Sequence, residues 1–179
     1  KIYHLTIHLF RKDHFMQVKI SRLLCVLLIA GGFYSTPFAQ LASSEVESMS
    51  KNADVIILGK VTEQTSGWNE NKTRIYTQAT IQVDEYLKGG NTGNSIVVSY
   101  PGGEVGDVGE LYSHMPRFED NEEVLVFLKK DEKSTSYKIL NGEAGKINVI
   151  TDPRTGEKVT SSNVSVSSFK AQIKSYIID

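Results

Sequence analysis

From Ile75 to Asp84 the chain alternates without a break: Ile75, Thr77, Ala79, Ile81 and Val83 form one row, and Tyr76, Gln78, Thr80, Gln82 and Asp84 the other. A period of two places the first row on one side of a pleated strand, so this segment is expected to be a strand with one face against a core. The phase changes at Glu85, because Tyr86 and Leu87 are adjacent. A long strand that changes phase late suits a curled barrel strand with a bend or bulge. Residues 88–94, rich in Gly and Asn, tolerate positive φ and make a turn.

Other segments fit the same architecture. Residues 54–61 are a β-branched run of strand length, and 95–100 supply a third strand. Residues 123–128 are almost continuously apolar, which predicts a strand covered on both faces. Residues 136–140 and 145–150 read as a fifth strand and its continuation, separated by Asn141-Gly142, and 151–156 as a hairpin turn. An opening helix is predicted over 43–52, with Ser44 and Glu47 as a capping box and Val46, Met49 and Ala53 as its apolar stripe. A closing helix capped by Ser167 or Ser168 carries Phe169, Ile173 and Ile177 on one side and is expected to plug one side or end of the barrel. Residues 65–72 read as a polar loop holding Trp68. The prediction is a mainly β chain: a small closed antiparallel barrel with a short N-terminal and a C-terminal helix, closure removing the exposed edges.

The N-terminal part has a different character. Met16 opens a stretch in which Lys19 and Arg22 precede the apolar run of residues 23–30; Gly31 and Gly32 break it, and Ser35 to Gln40 offer a cleavage region, with cleavage expected after Ala39. The run is shorter than the roughly 20 residues that span a bilayer comfortably, although an uncleaved anchor is the rival reading. Residues 1–15 then read as an upstream segment, 16–39 as a signal peptide and 41–179 as one domain, secreted or periplasmic and without membrane attachment after cleavage. Residues 1–40 hold five Lys or Arg and one acid, leaving 15 of the 20 basic and 20 of the 21 acidic residues beyond them. An excess of about −5 gives no electrostatic reason to bind nucleic acid or anionic membranes.

Export leaves little catalytic chemistry. Cys25 lies inside the leader, His4, His8 and His14 precede it, and His114 is the one histidine beyond. Ser113 is adjacent to His114, and adjacent side chains seldom meet in catalytic geometry, so His114 reads as a solvated loop residue. Zinc would need His or Cys ligands that are not present in number. Glu104, Asp107 and Glu110 could gather around calcium, but their spacing is not that of a known calcium loop. The same glycine-rich stretch lacks the lysine of a phosphate-binding loop. Residues 119–123 read as a solvated acidic turn with Asn121 at positive φ. No catalytic residue, metal or cofactor is expected.

The segments at 53–61, 80–89 and 123–128 together resemble, in their order, the netrin-like domains of tissue inhibitors of metalloproteinases, whose OB barrel has an "Ala-Asp-Val-Val" strand before a long strand ending in "Lys-Gly". The chain also resembles a set of exported, largely uncharacterised bacterial proteins in its Tyr100-Pro101-Gly102-Gly103-Glu104 and Pro116-Arg117-Phe118 segments. The resemblance covers roughly residues 44–150 and implies a barrel of the OB-fold type. It does not carry the inhibitors' mechanism, which chelates the protease zinc through an N-terminal cysteine with no counterpart here; fold does not bring function with it.

Long ordered connections in compact domains are often functional, and residues 101–118, with four glycines and two prolines, are such a connection. The expectation is a non-enzymatic, monomeric binding module for an extracytoplasmic protein, peptide or glycan. Its candidate contacts are Tyr100, Pro101, Gly102, Gly103, Glu104, Met115, Arg117 and Phe118, with Trp68 either packed back or exposed for recognition. A metalloprotease inhibitor-like regulator and a hydrolase using carboxylates alone are the competing readings.

Overall fold

Two 14-residue strands, β1 (Val55–Trp68) and β2 (Ile75–Lys88), form the hairpin on which the rest is built. The computed structural model describes residues 43–90, 93–132 and 134–178, all within the compact unit Ala39–Asp179. The upstream, signal and cleavage readings lie outside the described residues. The remaining strands are β3 (Ser95–Pro101), β4 (Gly103–Val105), β5 (Val108–Glu110), β6 (Glu123–Lys130), β7 (Tyr137–Ile139), β8 (Lys146–Thr151) and β9 (Lys158–Thr160). Helix α1 (Ser43–Asn52) opens the described chain and α2 (Val166–Ile177) closes it. Among the described residues no helix is long and apolar enough to cross a membrane.

Strand β1 pairs with β2 on one side and β6 on the other, β2 with β3, β3 with β7, and β7 with β6, so five strands close into a barrel. The mainly β, closed-barrel architecture with two flanking helices is thus as expected. One seam departs from a wholly antiparallel ring: β3 meets β7 in parallel, with Val98 opposite Tyr137. The reason is parity, because a ring of five strands cannot alternate direction all the way round. Strands β7 and β8 lie end to end along one edge of β6, facing residues 128–130 and 123–126 respectively. Asn141 and Gly142, both at φ 57°, make the break between them.

The late phase change has a structural cause. Between Leu58–Glu85 and Gly59–Val83 the β1–β2 register slips, leaving Asp84 as the extra residue on β2. Inside the barrel, alternate residues of all five strands pack together, among them Ile57, Ile81, Val98, Val126 and Ile139. The opposite faces of β1 and β6 present Ile56, Leu58, Leu125 and Phe127, which α1 and α2 cover with Val46, Met49, Phe169 and Ile173. Strand β6 is therefore buried on both faces, as its composition predicts.

Three local expectations are corrected. Strand β1 continues through residues 65–68, so Trp68 is a strand residue opposite Ile75, not part of a loop. Ser44 lies within α1 and Glu47 pairs with Lys51 at 2.7 Å, so the capping box gives way to an i, i+4 ion pair. The C-terminal end of α1 is closed from elsewhere, since Lys88 Nζ donates to the Ser50 and Lys51 carbonyls and Lys129 Nζ to that of Asn52. Cations at a helix C-terminus suit its partial negative charge. Finally, the N-cap position of α2 is Ser165, ahead of Ser167 and Ser168, and its hydroxyl bonds that of Ser167 at 2.7 Å and makes no capping hydrogen bond.

Candidate functional site

Beyond Lys60, β1 no longer has β6 as a neighbour, and the row of its residues that continues the inner face turns polar at Gln64 and Ser66. Opposite them on β2 stand Ala79 and Thr77. The β4–β5 hairpin folds over this extension, and residues 111–118 return beside it. Between them lies a cleft of about 560 Å3 at the barrel mouth. Gly102 and Gly103, at φ 104° and 126°, turn the chain out of β3 into the hairpin.

Eight of the nine expected contact residues border this cleft. Tyr100, Pro101, Gly102, Gly103 and Glu104 come from the outgoing limb, and Met115, Arg117 and Phe118 from the returning one. Trp68 does not border it; it is 39% exposed at the far end of β1, two residues past Ser66.

The floor is built from Tyr100 and Phe118, whose ring centroids are 5.5 Å apart at 46°. The Tyr100 hydroxyl donates to Gln64 Oε1 at 3.0 Å, and the Gln64 amide donates to Asp120 Oδ1 at 3.0 Å. Burial pushes the Tyr100 phenol above its ordinary value, against the opposing effect of its hydrogen-bonding interactions with Phe118 and Thr77. Thr77 Oγ1 shares a 2.8 Å hydrogen bond with Ser66 Oγ and donates to the Gly102 carbonyl at 2.7 Å. Glu110 Oε2 accepts from the Ile75 amide at 3.1 Å and from the Tyr112 hydroxyl at 3.0 Å, and this hydroxyl bond raises the Tyr112 phenol.

A charged pair braces the returning limb from behind. Lys146 Nζ lies 2.7 Å from Glu122 and 4.9 Å from the Phe118 ring centroid, and it donates to the Arg117 carbonyl. Asn121 adopts φ 67°, as its place in the acidic turn predicts. The turn is not simply solvated, however, because Glu122 is held by Lys146 and Glu123 by Lys158. His114 is exposed at φ 70°, and its carbonyl accepts from the Glu143 amide at 2.9 Å.

The acids of the hairpin do not converge. Gly103 faces Glu110 and Glu104 faces Gly109 in register, which puts Glu104 and Glu110 on opposite sides of the ribbon. Among the described residues no three His, Cys, Asp or Glu side chains are grouped to hold a metal. Exposed around the cleft instead are two apolar side chains, Leu111 at 71% and Met115 at 36%.

Gln64, Ser66 and Thr77, which border the cleft, and Lys146 behind it lie outside the connection that sequence reasoning singled out. Gln64 and Ser66 carried no period-two signal, because the register slip at Thr62 moves the inner row from Ile57 and Val61 to the even-numbered residues. Lys146 carried none, because its partner is distant in sequence.

Fold and cleft define a five-stranded barrel with an open, loop-walled mouth. No protein-family model matches the chain, and no curated protein matches its sequence.

Proposed function

We propose that this chain is an extracytoplasmic binding module, not an enzyme, that engages its ligand through residues 101–118 and the barrel mouth. The observation that carries the reading is the clustering of Tyr100, Pro101, Glu104, Met115, Arg117 and Phe118 around one cleft, since a concave site between a rigid barrel and a long loop is the usual place for recognition. The internally bonded floor supports recognition by a preformed surface. Glu104 and Glu110 both border the cleft but leave opposite sides of the hairpin, an arrangement that supports binding over a carboxylate pair facing one bond. The leader-like pattern over residues 16–39 supports the compartment.

A direct test retains ligands from the extracytoplasmic fraction, and from a glycan panel, on the immobilised chain and on a Leu111→Ser/Met115→Ser variant. A ligand held by the wild type and lost by the variant supports the reading; equal retention by both removes the loop from the binding surface.

A further inference from the structure

We infer that the ligand of this cleft is a segment of another protein that seats an apolar side chain between Leu111 and Met115 and carries Lys or Arg beside it. This rests on the reading of the cleft as a binding site and narrows it to one chemistry.

The first support is what the floor lacks. Gln64, Ser66, Thr77 and Tyr100 bond to one another, to Asp120 and to the Gly102 carbonyl. No buried side-chain nitrogen or oxygen among the described residues is without a partner. A floor whose donors and acceptors are already engaged has little to offer the many hydroxyls of a sugar, because each new bond would replace an existing one. An apolar group asks for no such bond, and the exposed Leu111 and Met115 side chains give it a surface.

The rim points the same way. Leu111 and Met115 both line the cleft and are open to solvent, and Met adapts its shape to varied apolar partners. Clustered exposed apolar side chains beside a concave surface mark a protein-binding face.

Charge selects the neighbour. Residues 101–120 contain five acids, Glu104, Asp107, Glu110, Glu119 and Asp120, against Arg117 alone. Asp120 and Glu110 are engaged by hydrogen bonds, whereas Glu104 and Asp107 are exposed on the hairpin beside the rim. A local negative field of this kind attracts basic segments and repels acidic ones.

The test pans a random peptide library on the full chain and measures affinities of the enriched peptides at low and high salt. Enrichment of sequences pairing a large apolar residue with Lys or Arg is expected. Leu111→Ser/Met115→Ser should weaken them about tenfold, the range of a modest hot spot. Glu104→Lys/Asp107→Lys should also weaken them, and should abolish the salt dependence seen with the wild type. Failure to enrich any peptide, or enrichment of peptides without basic residues whose binding still depends on Leu111 and Met115, overturns the inference while leaving the cleft as a binding site. Peptides indifferent to all four substitutions overturn both.

Discussion

Gly103 lies against Thr77 so closely that a β-carbon built on it would collide with the threonine hydroxyl and with that of Ser66. Its φ of 126° is in addition one that side chains avoid. Gly103→Ala should therefore cost about 3 kcal/mol, combining backbone strain with overpacking. Gly106 is the internal control: its φ is 60°, but nothing lies within 4 Å of its would-be β-carbon, so Gly106→Ala should cost about 1 kcal/mol from backbone conformation alone. Urea denaturation of both variants checks the contrast; equal losses would mean that the hairpin does not press on the β1–β2 extension.

Lys146 and Glu122 form the most enclosed ion pair described, with side chains 7% and 14% exposed. Removing one member of such a pair leaves the other charge stranded, so Lys146→Met should destabilise by about 3 kcal/mol. The double variant Lys146→Met/Glu122→Leu should recover much of that loss, because it strands neither charge. Thermal melts of the single and double variants give the coupling directly.

Acid should loosen α2 before it opens the barrel. Glu85 on β2 is held below its ordinary value of 4.5, first by the hydrogen bond from Lys170 and then by that from Lys174, both on α2. Asp54 is likewise held below 3.8, first by Lys129 and then by the Lys130 amide. A carboxylate depressed on folding adds stability that is present above its unfolded value and lost as pH falls through the folded one. Stability should hold down to about pH 5 and then decline, with Glu85 contributing about 1 kcal/mol or less because it and its partners are partly solvated. Glu85→Gln should flatten the upper part of that decline, as read from denaturation midpoints against pH.

What was legible in the sequence follows from periodicity and local chemistry. Rows at a spacing of two revealed β2, the slip at Asp84 appeared as a change of phase, and Asn121 announced its positive φ by residue type. That the ring holds a parallel seam was also available in principle, since five strands force at least one, but its place between β3 and β7 was not. Partners far apart in sequence were not legible. Glu47 looked like a cap until Lys51 took it, and the acidic turn looked solvated because Lys146 and Lys158 reach it only in the folded chain. The long connection at 101–118 could be singled out by its length and glycines, but the outgoing hairpin and the role of Gln64 and Ser66 depend on how β1 outruns the barrel.

Floor and rim of the cleft should separate cleanly in stability. Phe118 is 5% exposed and packs on Tyr100 beneath the Lys146 ammonium, so Phe118→Ala leaves a void and removes a cation–π contact. A loss of about 3 kcal/mol or more is expected. Leu111, at 71% exposed, gives up almost no burial when shortened, and Leu111→Ser should change stability by about 0.5 kcal/mol or less. Calorimetry of the two variants reads both values. A stable Phe118→Ala protein would mean that the ring is not part of the core, and a strongly destabilised Leu111→Ser protein would mean that Leu111 supports the fold instead of standing free at the rim for a partner.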